Sequence, residues 1–91
     1  MPLDREIDII KRTKEHMDEI VSFGVNNIDR MDKVFQYNLE KNIKELRHIG
    51  FVQISDMLER LIETKDIKTY VCIELILIEM QKSIWKKKVC L

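Results

Sequence analysis

Turn-forming residues are almost missing from this chain. Its 91 residues include two glycines, one proline and two cysteines. β-Rich folds need glycine, proline and their allies at every reversal, so their scarcity argues against a sandwich or barrel and for helices. Long apolar runs are missing as well. The longest, residues 75–78, falls far short of the roughly 20 residues needed to cross a bilayer. Nor does one sign of charge prevail: sixteen basic and sixteen acidic side chains cancel. A protein built to coat nucleic acid normally carries a clear basic excess, which disfavours that class. The two glycines stand 26 positions apart, too far to form a phosphate-cradling loop. The cysteines, Cys72 and Cys90, have neither redox nor zinc-finger spacing. Cys72 lies in an apolar segment and is expected to be a buried thiol. Such thiols suit a reducing compartment, and the charged residues from Asp4 onward do not suit a secretory leader, so the expected location is cytoplasmic.

What the chain does contain is 45% apolar and 35% charged residues, the balance of a single packed domain. A first helix is predicted from an N-cap at Asp4 to Gly24, with Leu3, Ile7, Ile10, Met17 and Val21 as its buried stripe. Asp8, Arg12, Glu15, His16 and Glu19 fall on the opposite face and read as solvated. Ile9 and Phe23 lie off the stripe and are candidate partner contacts. Gly24, Asn26 and Asn27 form a short connection that turns a second helix, residues 28–49, back along the first. Its stripe is Ile28, Met31, Phe35, Leu39, Ile43, Leu46 and Ile49, and Gly50 closes it. A third helix is expected from residue 52 or 55 to 64, burying Ile54, Met57, Leu58, Leu61 and Ile62. Asp66 then caps a fourth, residues 67–88. The fold class is therefore all-α, an antiparallel bundle of four helices, or three if the last two run on as one rod. Residues 69–80 are rich in strand-favouring side chains. A lone strand in a helical chain leaves its ladder groups unpaired, so helix is preferred.

The fourth helix carries more apolar surface than one neighbour needs. One stripe is Ile67, Val71, Ile78 and Trp85; the other is Ile73, Leu77, Met80 and Ile84. A polar line of Glu74, Gln81 and Lys88, seven residues apart, runs between them. One stripe is expected to pack inside the chain and the other against a second copy, giving a homodimer with the polar line near the two-fold axis. The interface expected on this basis comprises Ile73, Glu74, Leu77, Gln81, Ile84, Trp85 and Lys88.

Catalytic signals are weak. Glu45 and His48 have the Glu-x-x-His spacing of di-iron carboxylate bundles, and Glu74 could supply a further carboxylate. His48 points away from the apolar stripe, however, and reads as a cation at a helix C-terminus. Four acidic pairs lie three residues apart, at 15/18, 29/32, 56/59 and 63/66. Helical nucleotide pyrophosphohydrolases use related spacings, but none of these pairs lies in an apolar stripe facing another. His48 also lacks the lysine and glycine that follow the histidine of phosphotransfer domains. No cofactor or metal is expected, and no catalytic residue can be named.

The expected function is a non-catalytic helical module that self-associates and binds another protein, as an adaptor or small regulator. The alternative is an accessory subunit that touches nucleic acid through Lys82, Lys86, Lys87 and Lys88. A metal or nucleotide enzyme built on helix carboxylates comes third. No membrane partner is expected.

Overall fold

Glycine ends two of the helices, and the physical reason is backbone geometry. Gly24 and Gly50 have φ of 113° and 101°, a region that L side chains rarely enter. The computed structural model describes the backbone of residues 2–90 and the side chains of residues 5–84 and 86. Its elements are α1 (Pro2–Phe23), a 3₁₀ helix (Val25–Arg30), α2 (Lys33–His48), α3 (Val52–Thr64) and α4 (Ile67–Cys90). No strand occurs among the described residues, and residues 69–80 are helical throughout.

Several boundaries depart from the sequence reading. α1 begins at Pro2, which puts Asp4 inside the first turn; proline is well suited to such a position because its missing N–H has no partner there. The second helix begins five residues later than expected. Val25, Ile28 and Met31 are all buried, and their spacing of three matches the three residues per turn of a 3₁₀ helix. Met31 is then extended, and Asp32 caps α2 by accepting a bond from the Val34 amide at 3.2 Å. α3 and α4 are separate helices. Lys65 adopts the left-handed conformation, φ 53°, and the Asp66 side chain accepts from the Lys68 amide at 3.1 Å.

The helices close into a ring: α1 packs on α2 and α4, and α3 packs on the same two. Cross-helix hydrogen bonds fix the directions. Arg12 bonds Glu45 and His16 meets Asn42, so α1 and α2 run antiparallel. Lys14 bonds Glu74 and Tyr70 bonds the Met17 carbonyl, so α1 and α4 do too. The short turn after α2 brings α3 back along it, with Glu40, Ile43 and Lys44 facing Glu59, Ile62 and Glu63 across one groove. Ser55 bonds the Ile43 carbonyl, and Arg47 reaches Asp56 and Glu59. The core runs through all four helices, from Ile9 to Ile84.

Two neighbours for α1 mean a wider and rotated buried face. Ile9, Ile10, Thr13, His16, Met17 and Ile20 are buried, whereas Val21 is half exposed. Ile9 is thus a core residue and no partner contact, and His16 is no surface residue. Ring edge packs against ring face between His16 and Phe35, with centroids 5.5 Å apart. Nδ1 of His16 lies 3.0 Å from the side-chain amide of Asn42, so the two buried polar groups are hydrogen-bond partners. Thr13 and Ser55 satisfy their buried hydroxyls on the carbonyls of Ile9 and Ile43.

Helix lengths differ in a way that matters for function. α1 and α4 have 22 and 24 residues, α2 and α3 only 16 and 13. α4 is eleven residues longer than α3 and packs on both α1 and α3. The molecule measures 43 × 23 × 20 Å along its principal axes.

Candidate interaction surface

α4 is inserted between α1 and α3 with one stripe inward. Tyr70, Ile73, Leu77 and Ile84 are buried, and Ile76 and Met80 are partly so. The expectation that Ile73, Leu77 and Ile84 face a second copy is corrected by this rotation: they belong to the chain's own core. The outward stripe is Ile67, Val71, Leu75 and Ile78, which are 55%, 48%, 58% and 41% exposed. Leu75 was absent from the expected seam, although it stands four residues after Val71 and so shares its face.

Glu74 is not a seam residue either. Its carboxylate takes a 2.7 Å bond from the Lys14 ammonium, with little of the side chain exposed. This bond is the main cause raising the Lys14 pKa above its ordinary value, against the opposing effect of burial. Lys14 also bonds Asp18 at 3.1 Å, one helical turn along α1. Tyr70 lies beneath this cluster and donates to the Met17 carbonyl at 3.2 Å. Burial pushes its phenol up to about 12, helped by the negative charge of Glu74.

A groove of about 570 Å³ lies between α1 and α4. Ile7, Ile10, Ile78 and Ile84 form its apolar wall, with Lys11, Gln81 and Lys82 around it. Gln81, from the expected interface, is therefore an exposed wall of the groove. Lys82 and Lys86 are exposed, as a charged contact would require. The side chains of Leu3, Trp85, Lys87, Lys88 and Cys90 lie outside the described residues. Phe23 is half exposed and lines a second, shallower groove with Asp18, Glu19, Ser22 and Met31. Cys72, expected to be buried, is an exposed free thiol.

The candidate metal ligands are dispersed. Glu45 accepts a 3.0 Å bond from Arg12, Glu74 is held by Lys14, and His48 is exposed in the last turn of α2. Among the described residues no group of three or more His, Cys, Asp or Glu side chains converges on a point. The pair Asp56 and Glu59 shares the Arg47 guanidinium, and Asp18 is tied to Lys14. No described helix is long and apolar enough to cross a membrane. Compared with protein-family models, curated proteins and solved structures, the chain matches none.

Sequence reasoning missed the cross-helix side-chain pairs Arg12–Glu45, Lys14–Glu74 and His16–Asn42 and the Arg47 fork, among other links. One signal was available. Asn42 falls between Leu39, Ile43 and Leu46, a polar residue on an otherwise apolar face, and such a residue needs a partner.

Proposed function

We propose that the protein is a non-catalytic helical interaction module that self-associates through α4 and acts as an adaptor or small regulator of another protein. The observation that carries this is the outward stripe of Ile67, Val71, Leu75 and Ile78, four large apolar side chains held in a row on a capped, well-anchored helix. Single exposed apolar residues are ordinary on a surface, but a contiguous row is characteristic of an interaction site. A surface free thiol at Cys72 fits work in a reducing compartment such as the cytosol.

The magnitudes point to a modest affinity. Covering a half-exposed isoleucine, leucine or valine contributes roughly 1 kcal/mol, so eight such side chains across a symmetric pair supply about 8 kcal/mol. Association costs on the order of 4–15 kcal/mol in lost freedom. At the low end of that cost about 4 kcal/mol is left, so the expected dimer is weak, with a dissociation constant on the order of 1 mM, and forms when concentration is raised. Native mass spectrometry over a concentration series tests this. A growing dimer peak without added mass is the expected result; a monomer at every concentration contradicts it.

A second reading has one observation in its favour: Lys11, Lys82 and Lys86 are exposed at the same end of the α1–α4 pair, and no ion pair engages them among the described residues. Contact with nucleic-acid phosphate would follow. Gel-shift of single- and double-stranded probes at low salt, where such binding is strongest, separates this reading from the first.

A further inference from the structure

We propose that the groove between α1 and α4 binds a single-chain carboxylate, a fatty acid of medium chain length, with its tail along the isoleucines and its head between Lys11 and Lys82. No second copy is required, because α1 and α4 of one chain supply both the apolar wall and the two lysines.

The apolar part follows from the register of the two helices. The Lys14–Glu74 bond sets α1 against α4 so that Ile10 stands across from Ile78 and Ile7 across from Gln81. Ile10 and Ile84 are buried and make the floor, while Ile7 and Ile78 are partly exposed and make the sides. The Lys14–Glu74 pair crosses from helix to helix one turn away and bounds the groove on that side. A volume of about 570 Å³ falls within the range of small-molecule sites, roughly 300–1,000 Å³.

Charge then selects the ligand. The chain has as many acidic as basic side chains, yet among the described residues no carboxylate lines this groove. Lys11 on α1 and Lys82 on α4 do line it, both exposed and neither in an ion pair among those residues. Four carboxylates lie within a turn of them along or across the two helices. Asp8 is bonded to Arg12, and Glu6, Glu15 and Glu79 come within ion-pair distance of neither lysine. By contrast, the groove beside Phe23 holds Asp18 and Glu19, and the α2–α3 groove holds Glu40, Glu59 and Glu63. Two ammoniums on facing helices, with the Gln81 amide nearby, can donate to one compact anion, and a carboxylate accepts from several donors at once. The ligand that satisfies both parts joins one negative head to an apolar tail. A nucleic-acid phosphate alone would leave the isoleucines bare.

Two-dimensional NMR of the full chain at about 50 μM, well below the dissociation constant expected for the dimer, tests this with decanoate as the probe. Saturable shifts centred on residues 7–11 and 78–84 are expected. Octanoate should bind about fifteen-fold more weakly, since each buried methylene contributes about fourfold. The variant carrying Lys11→Gln and Lys82→Gln, both exposed positions, should keep its circular-dichroism spectrum and bind decanoate about tenfold more weakly. Decyltrimethylammonium, with the same tail and the opposite charge, should give no saturable shifts in the groove. The absence of saturable shifts up to about 5 mM decanoate overturns the proposal. Shifts centred on Ile67, Val71 and Leu75 also overturn it, as adsorption on the outward stripe. Equal binding of the cation, or undiminished binding of decanoate by the double variant, overturns the assignment of an anionic ligand.

Discussion

Two leucines two residues apart on α4 have opposite environments. Leu77 is fully buried among α1, α3 and α4, whereas Leu75 is more than half exposed. Leu77→Ala should cost about 2–5 kcal/mol of stability, from lost transfer energy and the cavity left behind. Leu75→Ala should change the stability of the dilute monomer by less than about 0.5 kcal/mol. Urea denaturation of the two variants at low concentration checks both figures. Tyr70 supplies a pH test. Its phenol is raised from 10.0 to about 12 in the fold, so the neutral form is the one the fold stabilises. That stability is fully present below pH 10, where the unfolded chain also keeps the proton, and is lost as pH rises from 10 toward 12. Lys14, whose pKa is raised chiefly by its bond to Glu74, acts in the same direction on the alkaline side. Melting curves between pH 8 and 12 should therefore fall steeply above pH 10 in the wild type and less steeply in Tyr70→Phe.

At the level of the helix, punctuation was legible and rotation was not. Gly24, Gly50 and Asp66 announce their boundaries because each meets a backbone need that few other residues meet. Gly50 gives this a clean test. A Cβ added there would touch nothing within 4 Å, yet φ is 101°. Gly50→Ala should still cost about 1 kcal/mol or more, purely as backbone strain, and thermal melting will read it as a drop of several degrees. The start of α2 was not legible, because a spacing of three at Val25, Ile28 and Met31 fits an α-helix and a 3₁₀ helix equally well. Which stripe of α4 turns inward was equally hidden. Ile73, Leu77 and Ile84 differ little in apolar character from Ile67, Val71 and Ile78, so the choice is made by α1 and α3, not by α4. The observed rotation also gives the Tyr70 hydroxyl a buried partner in the Met17 carbonyl.

For the whole molecule, the ring of four helices leaves each with two neighbours and α4 with a third, uncovered side. That uncovered side is not the mark of an unstable helix. α4 is held on its inward face by four buried side chains and by the Lys14–Glu74 bond, so its outward face can change without loss of the fold. Candidate chemistry was partly legible at this scale. The carboxylates that looked like ligands, Glu45, Glu74, Asp56 and Glu59, are each occupied by Arg or Lys from a neighbouring helix. Such partners are far away in sequence, 33 residues for Arg12 and Glu45 and 60 for Lys14 and Glu74, so only the fold brings them together. The most direct measurement is sedimentation velocity on the wild type and on a variant carrying Leu75→Asp and Ile78→Asp, from about 10 μM to about 1 mM, where the dissociation constant is expected. The wild type should move from monomer toward dimer as the upper end of that range is approached, while the variant stays monomeric with an unchanged helical circular-dichroism spectrum. Equal sedimentation of the two folded proteins at every concentration would contradict the claim that the outward face of α4 is an interface between copies.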